Sequence, residues 1–306
     1  MRHDLISVAD LIDLCFAQYM DAEGRAYVRH IRRAAQDFRF LSWTAGAHEN
    51  VSVPLHGYVW EEDGRIVGNL TMIPFLHKGK WLYLIANVAV HPDYRRRGIA
   101  RQLTERGLEH VHEHGASEAW LQVREDNQNA YQLYLSLGFQ ERAWRATWHS
   151  ILPPPPAPIS PATVTIQARQ KSDWEKQLGW LQETYPPEVA WNLSFSADRL
   201  KPSFWSRVMR FFSGGAIEHW SACQYDELIG VVSWEPTQFA QDVLWVATSP
   251  AWENLAIKLL LPYVQRSIHN GHILVVNYPA GRANEAFKQA GFERQNVLVW
   301  MEVKFK

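Results

Sequence analysis

Two short stretches of the 306-residue chain hold residues whose types and spacing could do chemistry. The first is Val88-Ala-Val90-His91-Pro92-Asp93-Tyr94-Arg95-Arg96-Arg97-Gly98-Ile99-Ala100. It reads as the end of a strand, a turn at Pro92-Asp93 and a basic loop that opens a helix. Small residues at Gly98 and Ala100 let a ligand approach the main chain closely. The first turn of a helix offers unpaired N–H groups and a partial positive charge, so the backbone from Arg96 to Ala100 suits a phosphate or pyrophosphate. Arg95, Arg96 and Arg97 add formal charge beside it. The second stretch is Asn127-Gln-Asn-Ala130-Tyr-Gln-Leu133-Tyr134-Leu-Ser-Leu137-Gly138-Phe139, a short helix stopped by Gly138. By residue type alone, Tyr134 is either an aromatic packed on a helix face or a phenol with a proton to give.

These stretches need elements to hold them. Ser7 can cap a first helix with Leu11, Ile12, Cys15 and Phe16 at helical spacing. A second helix is expected over Ala22 to Ala34, with Tyr27, Val28 and Ile31 on one face. Its Arg25, Arg29, Arg32 and Arg33 form a solvated face. Phe40 to Pro54, with Trp43 and His48, reads as irregular chain of the kind that lines pockets. Leu55–Trp60 and Arg65–Ile73 are strand-like and joined through Asp63-Gly64, a hairpin signal. Trp81–Val90 is apolar enough for a strand buried on both faces. A helix from Ile99 to His114 ends at Gly115, and a strand follows at Ala119–Arg124.

Arg95-x-x-Gly98-x-Ala100 resembles the Gln/Arg-x-x-Gly-x-Gly/Ala loop of the GCN5-related N-acetyltransferase (GNAT) superfamily. Asn127, Ala130, Leu133, Tyr134, Gly138 and Phe139 fall on every named position of that superfamily's second signature, Asn-x-x-Ala-x-x-Leu-Tyr-x-x-x-Gly-Phe. One helix and one strand separate the two, as the family's fold requires. The resemblance covers residues 1–150 and implies an acetyl-CoA-dependent N-acetyltransferase in which a primary amine attacks the thioester directly, in a ternary complex. It implies that Arg95, Arg96, Arg97, Gly98, Ile99 and Ala100 grip the pyrophosphate of coenzyme A, and that backbone N–H groups of Val88 and Val90 bond the cofactor or its carbonyl. Asn127 would touch the cofactor or orient its segment. Tyr134, a phenol of pKa ~10, would supply a proton to the departing thiolate of pKa ~8.5.

Many relatives place a glutamate on the strand before the loop. Here Trp81–Val90 has no carboxylate, and its side-chain amide, Asn87, is not a base. His56, Glu61, Glu62, Glu125, the C-terminal carboxylate and a water relay all stay open as the base. A peptide α-amine of pKa ~7.7 would need no strong one. The acceptor is a small-molecule amine or a peptide N-terminus. The alternative from another class is a non-catalytic acyl-CoA-binding or sensing protein, favoured by the missing carboxylate and opposed by Tyr134.

The second half repeats the first in faded form. Gly68, Pro92 and Gly138 correspond to Gly230, Pro250 and Gly291, at offsets of 162, 158 and 153 residues. Aligned on the prolines, Arg95, Gly98 and Ala100 become Glu253, Ala256 and Lys258; aligned on the later glycines, Asn127 and Tyr134 become Ala280 and Phe287. The expected architecture is therefore α/β, with an α+β-type mixed sheet in each of two tandem GNAT-fold domains. Each sheet is mostly antiparallel and flanked by helices. Residues 1–150 are the catalytic domain, 151–162 a proline-rich linker, and 163–306 a degenerate copy. The arrangement resembles that of tandem acetyltransferases such as mycothiol synthase. The copy can shape the acceptor pocket, support stability or serve a homodimer.

Composition narrows the remaining classes. Apolar residues at 47% and charged ones at 21% indicate a globular chain. A net charge of −1 gives no general attraction to nucleic acid or anionic membranes, so the short arginine run is not a nucleic-acid patch. Cys15 and Cys223 are too few for a disulfide framework and fit a reducing compartment, and no ligand set for a metal stands out. No apolar run is long enough to span a membrane, and acidic residues interrupt the N-terminal region, so a soluble cytoplasmic protein is expected.

Overall fold

The computed structural model describes residues 2–20, 22–36, 56–77, 79–154, 156, 161–202, 217–237, 240–268 and 271–305. The expected irregular stretch with Trp43 and His48, part of the proline-rich linker and the last residue lie outside the described residues. The chain divides into two compact units. The first comprises Met1–Val123, Asn127–Glu141 and Met301–Lys306; the second comprises Arg124–Asp126 and Arg142–Trp300. The expected boundary at residue 150 falls inside the second unit. No helix among the described residues is long and apolar enough to cross a membrane.

The first unit opens with helices α1 (Arg2–Phe16) and α2 (Ala22–Gln36). Ser7 does not cap α1 but lies inside it; the helix begins earlier, with Asp4 in the first turn, where a carboxylate suits the positive helix end. Val8, Ala9 and Ile12 of α1 pack on Val28 and Ile31 of α2, and Arg32 bridges back to Asp10 and Asp13. Strands β1 (Gly57–Glu62), β2 (Arg65–His77) and β3 (Lys80–Val90) form an antiparallel set. The turn at Asp63-Gly64 has both residues at positive φ, 49° and 73°, as a two-residue hairpin with native twist requires. Helix α3 (Ile99–Glu113) returns the chain to β4 (Glu118–Arg124), which runs parallel to β3. At Gly68 an added Cβ would lie 2.9 Å from both Ile99 and Trp60, so glycine lets the start of α3 press against β2. Helix α4 (Gln128–Ser136) follows. The last residues complete this unit: the Phe305 N–H donates to Ser117 O at 3.0 Å, and the Phe305 ring packs on His112.

In the second unit, β5 (Gln140–Ser150) pairs antiparallel with β10 (Ile273–Pro279) and places Ala146 and Trp148 in that unit's core. Beyond β10 the order continues β9 (Gln241–Thr248), β8 (Glu227–Glu235), β7 (Glu218–Gln224) and β6 (Val164–Ala168). Helix α5 (Trp174–Thr184) precedes β7, α6 (Glu253–Ser267) joins β9 to β10, and α7 (Asn284–Gln289) leads into β11 (Phe292–Lys304). The element order from β7 to β11 repeats that from β1 to β5. It includes the short 3-10 turns Pro92–Tyr94 and Pro250–Trp252 and the two fifteen-residue helices after them. The parallel pairing of β9 with β10 repeats that of β3 with β4.

Candidate active site

The strand that leads into the basic loop is not regular. β2 and β3 pair in step from His77↔Lys80 to Thr71↔Ala86, then the register shifts, and pairing resumes at Asn69↔Ala89. One residue of β2 thus faces two of β3, Asn87 and Val88, which makes a β-bulge. Asn87 sits at φ 51°, a region asparagine tolerates better than most residues. On its other edge β3 pairs with β4 from Leu82↔Glu118 to Ile85↔Leu121. Past the bulge, the His91 N–H donates to Val67 O at 2.8 Å on β2. Alternation then turns the N–H and C=O of Val90 away from β2, toward the edge where β3 has left β4. Val90 O is already held there by Arg95 Nε at 3.1 Å and by the Cys15 thiol at 3.4 Å. Burial raises the Cys15 pKa, and the adjacent Arg95 opposes the shift.

The loop that follows is built from left-handed backbone. Arg96 has φ 66° and Gly98, the N-cap of α3, has φ 79°. Turns of this kind fold successive N–H groups toward a common point and form an anion-binding concavity. Gly98 is not demanded by crowding, since the nearest atom to an added Cβ is Gln102 Nε2 at 3.7 Å; its dihedral angle demands it. Ile99 is buried and anchors the helix, whereas Arg95, Arg96, Arg97 and Gly98 are exposed. Arg97 is neutralised by Glu62 at 2.9 Å and lies over the Tyr94 ring. Among the described residues neither Arg95 nor Arg96 meets a carboxylate, so positive charge remains at the mouth of the loop. The first-turn N–H groups, the left-handed loop and these two guanidinium groups together fit a pyrophosphate.

The two sequence stretches come together. Arg96 Nη1 donates to Asn129 Oδ1 at 3.4 Å, and Arg101 Nη2 donates to Ser136 Oγ at 2.7 Å, joining the loop and α3 to both ends of α4. Asn127 caps α4, its Oδ1 accepting from the Ala130 N–H at 3.3 Å. Tyr134 is buried, with its ring edge-on to Phe139 at 5.8 Å, and burial raises its pKa above the ordinary tyrosine value.

The candidate bases divide. Glu62 is committed to Arg97 and to Trp60 Nε1, and Glu125 lies 3.7 Å from Arg294. His56 and Glu61 are exposed. Spacing rules missed a polar cluster at the bulge: buried Asn69 and Thr71 and half-buried Asn87, with Tyr27 of α2 hydrogen-bonded to Asn87. Its sequence signal was a lone amide in an apolar strand opposite two polar residues in β2's buried run.

The corresponding place in the second half has a different filling. β8 and β9 pair without a shift from Gly230↔Thr248 to Glu235↔Val243, so there is no bulge. Trp245, 158 residues after Asn87, is buried in regular strand. Glu253 begins α6 and accepts from the Tyr278 hydroxyl at 2.7 Å and from Arg282 at 2.5 Å. The same hydroxyl lies 3.4 Å from Thr248 Oγ1. A carboxylate and a buried phenol thus stand where the first half keeps an open edge and a basic loop.

A strand with a bulged, partly unpaired end thus runs into a left-handed basic loop and a helix start whose N–H groups suit an anion. Residues 16–139 match the sequence profile of the Acetyltransferase (GNAT) family, and this part of the chain is a GNAT domain. A 63-residue stretch is 41% identical to the [Ribosomal protein bS18]-alanine N-acetyltransferase of Escherichia coli (strain K12), covering 21% of this chain and 43% of that protein. Another of 53 residues is 47% identical to the mycothiol acetyltransferase of Thermobifida fusca (strain YX), covering 17% of this chain and 16% of that one. The chain thus spans less than half the length of either relative. The fold matches a solved GCN5-related N-acetyltransferase from Sphaerobacter thermophilus over 99% of this chain and 93% of that one, with a TM-score of 0.59 at 16% identity.

Proposed function

We propose that the first unit is an acetyl-CoA-dependent N-acetyltransferase that passes an acetyl group to a primary amine by direct attack, and that the second half has kept the fold without the cofactor site. The observation that carries this reading is the sequence of bulge, open strand edge and left-handed basic loop within the GNAT domain. Acetyl-CoA supplies an activated acetyl carbonyl and a good leaving thiolate. The chain's own groups do the rest. The N–H groups from Arg96 to Ala100, with Arg95 and Arg96, hold the pyrophosphate. The Val88 and Val90 N–H groups face the carbonyl and stabilise the charge that grows on its oxygen.

Tyr134 hydrogen-bonds the leaving sulfur. Its raised pKa makes full proton transfer to a thiolate of pKa ~8.5 uphill, so it stabilises that thiolate as a donor, and water relays to the sulfur the proton that the attacking amine nitrogen gives up. Asn127 orients α4. The polar groups beside the bulge are neutral phenol, amide and hydroxyl, which favours an acceptor already partly neutral at pH 7, such as a peptide α-amine of pKa ~7.7. A relative named for acetylating an alanine points the same way.

The test is CoA release by the purified full-length protein, given acetyl-CoA and an amine panel. The panel holds a peptide with a free N-terminal alanine, an N-blocked lysine peptide, spermidine and an amino sugar. Turnover on one acceptor, fastest with the α-amine, is the expected result. Tight acetyl-CoA binding with no turnover on any of them would instead make the protein a sensor.

A further inference from the structure

We propose that Tyr27 is a positioning residue: acting through Asn87, it sets the bulge in β3 and so aims the Val88 and Val90 N–H groups at the thioester carbonyl, an inference that rests on the acetyl-CoA reading above. Tyr27 sits on the inner side of α2 beside buried Val28 and Ile31. Its hydroxyl accepts from Asn87 Nδ2 at 2.9 Å, and burial pushes its pKa up to about 12, so it stays a neutral phenol. Asn87 also reaches Thr71 Oγ1 at 3.4 Å, and its carbonyl accepts from Asn69 Nδ2 at 2.9 Å. Asn69 and Thr71 are 4% and 2% exposed. Within this cluster Tyr27 is the member that comes from outside the sheet.

A buried polar group contributes less to stability than a well-packed apolar one unless its partners are all in place. A left-handed residue alone would need only glycine, with no partner on α2. The cluster therefore specifies position: where β3 takes its extra residue, and how α2 lies against it. The second half supplies the contrast. It has no left-handed residue at the matching place, Trp245 fills the position, and β8 and β9 pair without a shift.

The test uses the full-length protein, Tyr27→Phe and Asn87→Gly, with acetyl-CoA labelled at the thioester carbonyl. Asn87→Gly keeps the left-handed backbone available and removes only the amide that meets the phenol. Three quantities are read: the dissociation constant for CoA, kcat on the best acceptor, and the infrared frequency of the bound carbonyl. In the unaltered protein the carbonyl absorbs below its frequency in buffer, because N–H groups polarise it. Both variants should bind CoA within about twofold of the parent, lose about tenfold in kcat, and show the carbonyl moved back toward its solution frequency. Retention of the parent's frequency and kcat by either folded variant overturns the proposal. So does loss of CoA affinity in parallel with kcat, which marks a structural role only. A parent that binds acetyl-CoA with a shifted carbonyl but acetylates no amine removes the transferase reading alone, and the variants' frequencies then decide. A parent that fails to bind acetyl-CoA overturns both.

Discussion

Tyr134 and Glu118 show how surroundings choose among the things a side chain can do. Tyr134 is sealed against Phe139 and its pKa is raised, so it keeps its proton across the working pH range. Tyr134→Phe should therefore lower kcat by about a hundredfold while CoA affinity stays within about twofold. In the parent, kcat should show no fall from tyrosine ionisation below pH ~10, the ordinary tyrosine value. Equal losses in binding and turnover, or a falling limb near pH 9 that the variant lacks, would remove Tyr134 from this role. Glu118, at the start of β4, is raised from 4.5 to about 7, first by burial and then by hydrogen bonding and repulsion with Glu302. Lys304 lies 3.6 Å from Glu302 and partly offsets this. A carboxyl whose pKa is higher folded than unfolded stabilises the protein while protonated, and that contribution disappears as pH rises from about 4.5 through about 7. Urea unfolding at pH 5 and pH 8 should show this fall in the parent and a smaller one in Glu118→Gln. An equal fall in both would exclude the pair as its source.

Among the elements, the loop into α3 and the bulge in β3 differ in how visible they are from sequence. The loop is written in local residue types: Pro92 opens the turn, and Gly98 holds a φ of 79° that other L-residues adopt at a cost of about 1–2 kcal/mol. Gly98→Ala should raise KM for acetyl-CoA by about tenfold with little change in kcat. Because an added Cβ meets nothing closer than 3.7 Å, thermal denaturation should show only a modest loss of stability. An unchanged KM would show that the loop's left-handed backbone is not what grips the phosphates. The bulge is a property of register, and register depends on which residues of two strands face each other. Asn87 could be seen to be odd in its strand, but not to be paired with Tyr27, sixty residues earlier. The same limit applies to β5. Its alternating residues predict a strand, whereas its partner, β10, lies more than a hundred residues away. Ser7 differs from expectation for a simpler reason: a serine suited to capping is tolerated inside a helix that starts earlier.

At the scale of the whole chain, the two halves share element order, but among the described residues only the first has the bulge and the left-handed basic loop after it. Titration calorimetry with CoA should therefore give one site per chain, and Glu253→Gln should leave that number unchanged, since Tyr278 still fills the second copy's opening. Two sites would overturn the degenerate reading. Removing everything beyond residue 150 takes away Met301–Lys306, which belong to the first unit, and with them the Phe305–Ser117 hydrogen bond and Glu302. The product should be insoluble or only partly folded by circular dichroism; a soluble, cooperatively melting 1–150 fragment would contradict this. That membership also bears on synthesis. A ribosome adds residues one at a time, and sequential domain folding lets early parts close while later ones are still being made. Here the first unit's strands wait for residues 301–305, so a growing chain carries the basic loop of Arg95 to Ala100 long before the fold around it can be finished.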